Sequence, residues 1–500
     1  MGSGVFDLTE KRLPIPAFVA SLAPKDAVDA ERLVARVPAT ANAIEFRMDL
    51  ADRPIPAASL AGLDPRPAIL TWRSLAEGGE FSGSADEYRR LVEDAYASGA
   101  TVDVEHDRGL LADPSVLPDR GRVLVSHHSP FSLPADWESR VASMKATGAR
   151  VTKLVAGTGD LAASLRVADL QRSRPNDGVA IFPMGPASAP GRVLSALHGA
   201  AAVYGPVGRD TAAGQLPLAD LIDVFEVDRP RKVEALFGVV AGSIARSLSP
   251  RLHNALFRAR ELPYLYLPLP VADFDREKPH EIAHDPPFRG FAVTQPWKLA
   301  AARAGRPSED VRKIGAANTL VRGRGGWKAE NTDADAVFEA LADHDTGEGR
   351  SAVVVGAGGA ARAAVVAARR LGYEVAISAR KDAEADRVAA ELGVDSLAWS
   401  DLAASEADLY VNATPVGWKD DEPSSIPPVL FAERPLVFDC VYRRDGRETS
   451  TIRAARAAKC PTVDGLKMFV IQAVRQAELF GVEGVTQEEV AAILQEGFAP

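Results

Sequence analysis

The chain has 500 residues, several times the commonest domain size, which excludes a single small module and predicts two or more domains. Hydrophobic residues at 46% and charged residues at 25% match a folded globular chain and leave no room for extended disorder. Fifty-eight basic against 68 acidic residues give a net charge of −10, without the basic excess of a nucleic-acid binder.

The two cysteines, Cys440 and Cys460, form neither a CxxC pair nor a Cys/His cluster, so neither a disulfide framework nor a metal site is expected, and a reducing cytoplasm fits. Apolar runs are strand-length and broken by charge, and Met1 to Glu10 has neither a basic nor an apolar targeting region, so no membrane span or leader is expected. Gly2 begins a myristoylation-like pattern that Phe6 breaks.

In chain order, β-branched or apolar runs recur at Phe18 to Leu22, Ala43 to Arg47, Ala68 to Trp72, Thr101 to Val104, Val123 to Ser126, Val151 to Val155, Val179 to Phe182 and Ala201 to Tyr204, with helix-like stretches between them. Eight strands alternating with helices outline a (β/α)8 barrel, although an open doubly wound sheet shares the alternation. The pattern breaks at the charged, proline-containing stretch Asp228 to Lys232. A second α/β region follows, with strands at Leu236 to Ala241, Tyr264 to Leu267, Phe291 to Thr294 and Thr319 to Arg322, then a hairpin at Gly323 to Gly326. A third begins at Ala352 to Gly356, where an apolar strand runs into glycines and an alanine-rich helix, Ala360 to Arg370.

Lys153 sits at the centre of a strand fit for burial on both faces. Burying an ammonium is costly, and the cost falls if the amine is neutral, the form that attacks a carbonyl to make a Schiff base. The bland alternative is a strand-end lysine that reaches solvent. His128 ends the preceding strand and would share the carboxyl-terminal rim with Lys153, where it could move protons; alone, it reads as an ordinary loop histidine. Glu45, Arg47 and Asp49 alternate along the second strand and would either pair among themselves or meet a polar ligand. Arg73, followed by Glu77 and the flexible Gly78-Gly79, and Arg192 offer cations for a carboxylate, or plain surface charge.

These residues, with Asp103-Val-Glu105, Met184-Gly185 and Ala213-Gly-Gln215, are similar in order and spacing to the type I 3-dehydroquinate dehydratases. The resemblance implies that Lys153 forms an imine with the substrate ketone, that His128 is the general acid and base, and that Glu77 assists it. It implies a pocket of Glu45, Arg47, Arg73, Met184, Arg192, Thr211 and Gln215. Thr211 stands where the family usually has Ser, and Ala213 where it has Pro.

Gly356-Ala-Gly358-Gly359-Ala-Ala361 follows a strand and opens a helix, the context of a dinucleotide fingerprint; the alternative is a glycine-rich turn that binds nothing. The next strand ends in Ala379-Arg380-Lys381, cations suited to the 2′-phosphate of NADP where an NAD enzyme would place an acid. Upstream stand Ser247-Leu-Ser249, Thr294-Gln-Pro-Trp-Lys298, Gly315-Ala-Ala-Asn318 and Asn331-Thr-Asp333, each readable singly as capping or turn chemistry. Two hydroxyls flanking one residue can address one carboxylate, and Lys298 with Asp333 would form a proton-transfer pair.

Together with Asn412-Ala-Thr414, Asp439-Cys-Val-Tyr442 and Gly465 to Gln472, these motifs resemble the shikimate dehydrogenases. The resemblance implies carboxylate binding by Ser247 and Ser249. It implies ring contacts from Thr294, Asn318, Asp333 and Gln472, closure by Tyr442, and catalysis by Lys298 and Asp333. The cofactor NADP(H) would meet Gly356, Gly358, Gly359, Ala361, Arg380, Lys381, Thr414 and Gly465. Ala292 replaces the usual Asn, Arg246 the usual His, and Ala379 and Lys381 the usual Asn and Thr.

The fold expected is therefore α/β: an N-terminal barrel at 12–230, a substrate-binding domain at 236–343 to which helices in 465–500 return, and a Rossmann domain at 344–464. The expected function is bifunctional, dehydrating 3-dehydroquinate and reducing 3-dehydroshikimate to shikimate with NADPH, without nucleic-acid or membrane partners. A quinate dehydrogenase using NAD in the second half, or a metabolite-binding scaffold without turnover, are the alternatives.

Overall fold

The computed structural model describes residues 12–229, 231–244, 247–344 and 349–498; Gly2, Phe6 and Arg246 lie outside them. The chain divides after Lys232 into two compact units.

In the first unit, eight parallel strands follow one another round a sheet: β1 Ala17–Leu22, β2 Ala43–Arg47, β3 Ala68–Thr71, β4 Thr101–Glu105, β5 Val123–Ser129, β6 Val151–Gly157, β7 Val179–Met184 and β8 Ala202–Pro206. Their order is β7-β6-β5-β4-β3-β2-β1-β8, and the seam between β7 and β8 is bridged where the Ala201 N–H donates to the Val179 carbonyl. The sheet is thus a nearly closed barrel, the closed alternative of the two left open by the alternation. β5 and β6 run longer than their apolar runs indicate. His127 and His128 therefore lie within β5, and Lys153 lies mid-strand rather than at an end.

Alternation along each strand explains the division of the interior. Side chains two residues apart share a face, so each strand offers inward positions at successive heights. Val19, Ala43, Ile69, Leu124, Val151 and Ala180 fill the lower layers with apolar volume. Toward the carboxyl-terminal ends the same faces carry Ser21, Glu45, Thr71, Asp103, Ser126 and Lys153, all buried. The barrel is a packed plug below and a polar chamber above.

The second unit holds two sheets. One is mixed, with β9 Ala235–Ala241, β10 Tyr264–Pro270, β11 Phe288–Val293, β12 Arg306–Pro307, β13 Thr319–Gly323 and β14 Gly326–Glu330 in the order β10-β9-β11-β13-β14-β12. The other is parallel, with β15 Ser351–Val355, β16 Glu374–Ser378, β17 Asp395–Ser396, β18 Leu409–Asn412, β19 Leu436–Asp439 and β20 Thr462–Val463 in the order β17-β16-β15-β18-β19-β20. The reversal of strand order at β15 and β18 marks a doubly wound sheet with its crevice at the strand carboxyl ends. The helix Gly465–Leu479, downstream of the parallel sheet, packs Phe469, Val470 and Ala473 into the core of the mixed sheet. Among the described residues no helix is long and apolar enough to cross a membrane.

The edge strand β10 needs partners on its open side. Asn254, fully buried on the helix Ser249–Ala259, accepts from the Tyr266 N–H at 2.9 Å and donates to the Tyr266 carbonyl at 2.9 Å. Asn254→Ala orphans both backbone groups and should cost this unit about 2–4 kcal/mol in urea unfolding, whereas a loss below about 0.5 kcal/mol would contradict this role.

Candidate active sites

In the barrel chamber Lys153 Nζ lies 2.5 Å from Asp103 Oδ2 and 4.7 Å from the Tyr204 ring centre. Lys153 is 3% exposed, so it does not reach solvent. Its burial is met by a counter-charge. Asp103 also accepts from Ser126 Oγ at 2.5 Å and faces Arg73 Nη2 at 2.9 Å. Burial opposes ionisation of Asp103, but Arg73 and Lys153 prevail and hold it down at about 2.

Arg73 is itself buried, and its Nη1 donates to Glu77 at 2.8 Å, to Ser126 at 2.9 Å and to Glu105 at 3.3 Å. Glu77 Oε2 accepts from the His128 backbone N–H at 3.0 Å and lies 3.0 Å from His128 Nδ1. Burial, opposed by Arg73 and reinforced by Glu105 and Asp103, pushes Glu77 up to about 7. Burial, then the cations Arg73 and Lys153, drive His128 well below the usual imidazole range. Below about pH 7 the pair therefore keeps its proton on the carboxyl, and above it an ionised Glu77 faces a neutral imidazole. In β5 and β6, Ser126 pairs with Lys153 and His128 with Val155, which puts His128 on the Lys153 face one pleat higher.

Two expectations about the rim change. The strand β2 ends at Arg47, and Asp49 lies in the following turn, where it takes Arg47 through two bonds of 2.8 and 2.7 Å. Gly78-Gly79 is a tight turn rather than a flexible one: Gly78 has φ +81°, and a Cβ on Gly79 would come within 2.1 Å of the Arg73 carbonyl. Glu45 accepts from Ser21 and Thr71, and the loop carrying Thr211 is tied down by Thr211 Oγ1 to Ser21 Oγ at 2.9 Å and Arg47 Nη1 to the Thr211 carbonyl at 2.9 Å. Gln215 accepts from Thr211 Oγ1 and the Ala212 N–H within that loop. Met184 closes β7 near Gly78.

Arg192, on the helix Ala189–Leu197, is 7% exposed, and its Nε has no partner. Its guanidinium lies 4.9 Å from the Phe182 ring centre, and burial lowers it to about 10. It borders a cavity of about 10 Å³ with Phe182, Ser195 and Tyr204.

The second unit has an open cleft of about 410 Å³ between its two sheets. Lys298 Nζ meets Asp333 Oδ2 at 2.6 Å, and Asp333 Oδ1 accepts from Asn318 Nδ2 at 3.0 Å. Ser247, Ser249, Thr294, Asn318, Tyr442 and Gln472 line the same cleft. Tyr442 packs on Phe469 at 4.8 Å, and burial pushes its phenol up to about 12.

On the facing wall stand Gly358, Gly359, Thr414 and Gly465. Gly356 has φ +124°, and a Cβ there would come within 2.8 Å of the Ala413 carbonyl; one on Gly359 would come within 2.7 Å of Lys298 Cβ. The glycine turn is thus built for close approach, and the helix Gly359–Arg370 starts without a side-chain cap, leaving N–H groups for an anion. Gly356 and Ala361 shape this turn from behind rather than lining the cleft. Arg380 and Lys381 are exposed at the end of β16, outside the cleft wall, and Lys381 is paired with Glu384 at 3.0 Å.

A family model of the type I 3-dehydroquinase matches residues 18–231, and one of the shikimate dehydrogenase substrate binding domain matches residues 239–320. A bifunctional 3-dehydroquinate dehydratase/shikimate dehydrogenase, chloroplastic, of Arabidopsis thaliana is 28% identical over 472 residues, covering 88% of this chain and 77% of that one. The NADP(+) shikimate dehydrogenase of Anaeromyxobacter sp. (strain K) is 37% identical over 272 residues, 52% of this chain and 96% of the relative. That of Ignicoccus hospitalis is 36% identical and 92% covered.

The chain belongs to the shikimate dehydrogenase family through its second unit, and its first unit matches the type I 3-dehydroquinase model.

In this family member the sequence motifs leave several groups without a role that the structure places at the sites. Asp103 is the Lys153 counter-ion, and Ser21, Thr71 and Tyr204 complete the chamber. The signal for Asp103 and Glu105 was their alternation on β4, which turns two acids inward. In the cleft, Ser243, Trp418, Met468 and Gln476 join the wall. Gln476 lies one helical turn beyond Gln472, the spacing that keeps both on one face.

Proton bookkeeping in the barrel gives a signed prediction. Glu77 holds a proton in the folded state that it loses on unfolding above about pH 4.5, so alone it makes stability fall as pH rises toward 7. His128 is neutral when folded and takes a proton on unfolding below about pH 6.5, so alone it makes stability rise over the same window. Glu77→Gln should therefore steepen the rise of the barrel's stability between pH 5 and 6.5 by about 1.4 kcal/mol per pH unit relative to wild type, and His128→Asn should shift the slope the opposite way. Denaturant unfolding across pH checks this; slopes that move together would contradict the exchange of the proton.

Proposed function

We propose that the chain catalyses two consecutive reactions, Schiff-base dehydration of 3-dehydroquinate to 3-dehydroshikimate in the barrel and NADPH-dependent reduction of that product to shikimate in the second unit. The observation that carries the reading is the pair of lysines, each held on a carboxylate, one in a polar barrel chamber and one in a cleft walled by a glycine turn. The proposed domains are a dehydratase barrel at 12–230, a substrate-binding domain at 236–343 with helices in 465–500, and a nucleotide domain at 344–464. The free cysteines suit a reducing compartment such as the cytoplasm, while the Arabidopsis relative is named chloroplastic.

In the barrel, the Lys153 amine adds to the substrate ketone, and water leaves as the imine forms. His128, neutral, takes the proton from C2. Glu77, poised near 7 on His128 Nδ1, supports the charge that the imidazole then carries. The same imidazole returns the proton to the C1 hydroxyl, which departs as water, and hydrolysis of the imine frees the product and Lys153. Asp103 stays ionised throughout and steadies the cationic imine nitrogen. Arg192, buried without a carboxylate partner among the described residues, is suited to the substrate carboxylate, with Glu45, Arg47, Arg73, Met184, Thr211 and Gln215 around the ring.

In the cleft, Ser247 and Ser249 would hold the carboxylate, and Thr294, Asn318, Gln472 and Tyr442 the ring. NADPH, when bound over Gly356, Gly358 and Gly359 with Ala361, Thr414 and Gly465 shaping its bed and Arg380 and Lys381 beside its 2′-phosphate, supplies the hydride. Lys298 gives its proton to the ketone oxygen, and Asp333 and Asn318 keep the ammonium aimed. The NAD and quinate alternative is disfavoured by the exposed cations after β16, and the scaffold alternative by the two intact lysine and carboxylate pairs.

A coupled assay separates the halves. Wild type should consume NADPH when given dehydroquinate. Lys153→Ala should lose that activity by at least about 10³-fold yet keep it with dehydroshikimate, and Lys298→Ala should lose both while still forming dehydroshikimate, followed by its absorbance. NADPH consumption from dehydroquinate by Lys153→Ala would refute the barrel assignment.

A further inference from the structure

Two loops leave the neighbouring strands β18 and β19 at their carboxyl ends and share one wall of the cleft, the first through Pro415 and Trp418 and the second through Val441 and Tyr442. No motif gave a role to the residue that joins them. Arg443 is 7% exposed, and its Nη1 donates to the Trp418 carbonyl at 3.0 Å and meets Asp420 Oδ1 at 3.0 Å. On its own loop it takes Asp445 through two bonds, Nε to Oδ1 at 2.9 Å and Nη2 to Oδ2 at 2.6 Å. Arg447 closes a ring of four charges, its Nη2 lying 3.0 Å from Asp420 Oδ2 and 2.7 Å from Asp445 Oδ2.

An isolated surface ion pair is worth little, because water and side-chain freedom compete with it. This ring differs because its centre is buried: a planar guanidinium taken out of water needs its donors met, and here the partners come from both loops. Arg443 foremost, then Arg447, holds the Asp445 carboxyl well below the usual carboxylate range against its partial burial. The base of the first loop is fixed separately. Glu422 accepts from the Gly417 N–H at 2.9 Å and the Lys419 N–H at 3.1 Å, and Gly417, at φ +105°, lies against Thr449. Arg443 therefore acts farther out, where Trp418 lines the cleft.

We propose that Arg443 is a positioning residue for the nucleotide: it clasps the loop bearing Trp418 to the loop bearing Tyr442, so that this wall of the cleft is ordered before NADP(H) binds. Ordering a loop at the moment of binding subtracts from affinity, and a loop held in place beforehand avoids that loss. Once the ligand is bound the wall is in place with or without the clasp, so the effect falls on binding rather than on turnover of the bound complex. The inference rests on the reading of this cleft as an NADP(H) site.

The test uses the full chain with Arg443→Gln and, from the other loop, Asp420→Asn, whose exposed site the fold tolerates. Calorimetric NADP+ binding should weaken about tenfold in Arg443→Gln and about threefold in Asp420→Asn, and the double variant should bind within about twofold of Arg443→Gln alone. The kcat at saturating NADPH should stay within about threefold of wild type. Without nucleotide, a lysine-specific endoproteinase should cut after the exposed Lys419 about fivefold faster in either variant than in wild type, and saturating NADP+ should bring the rates together. Unchanged NADP+ affinity in the variants, a kcat that falls as far as the affinity does, or equal cutting rates would overturn the proposal. If wild type itself binds no NADP+ while the cutting rates still differ, the nucleotide reading of the cleft falls and only the clasp between the loops stands.

Discussion

An ammonium buried in a protein needs a counter-charge, and both halves of this chain are arranged round that need. Lys153 meets Asp103 at 2.5 Å, and Lys298 meets Asp333 at 2.6 Å. An isolated buried charge costs several kcal/mol, so each carboxylate is a condition for its amine to sit where it does. The two solutions differ in their surroundings. Asp103 is enclosed, shared with Arg73 and Ser126, and held at about 2. Asp333 stands at the wall of an open cleft and is steadied by the neutral amide of Asn318. A shared, enclosed carboxylate suits an amine that stays covalently engaged through several steps. A cleft-side pair suits an amine that gives up a proton and regains it.

The second arrangement of the barrel is a displaced proton. Burial pushes the Glu77 carboxyl up to about 7 while burial and two cations drive His128 down, so a neutral imidazole stands beside a carboxyl that ionises near neutrality. The layered barrel makes this affordable: apolar side chains pack the lower chamber, and the polar groups crowd into the upper one, where strand carboxyl ends and loops supply partners.

Much of this was legible in the sequence because the two periodicities of backbone structure are local. The β-branched runs gave all eight barrel strands, and alternation placed Glu45 and Arg47 on one face of β2. What was not legible depended on register across strands. That Asp103 reaches Lys153 follows from the offset of β4 against β5 and of β5 against β6, which no spacing within one strand encodes. Asp49 left its strand because it folds back on Arg47, and Gly78-Gly79 proved tight because the Arg73 carbonyl fills the space beside it.

The proposed chemistry of the barrel requires the Lys153 amine to act as a covalent handle. Borohydride added to the protein with dehydroquinate, followed by peptide mass spectrometry, should find the reduced adduct on the peptide containing Lys153. Recovery of that peptide unmodified while dehydroquinate is still being dehydrated would contradict it.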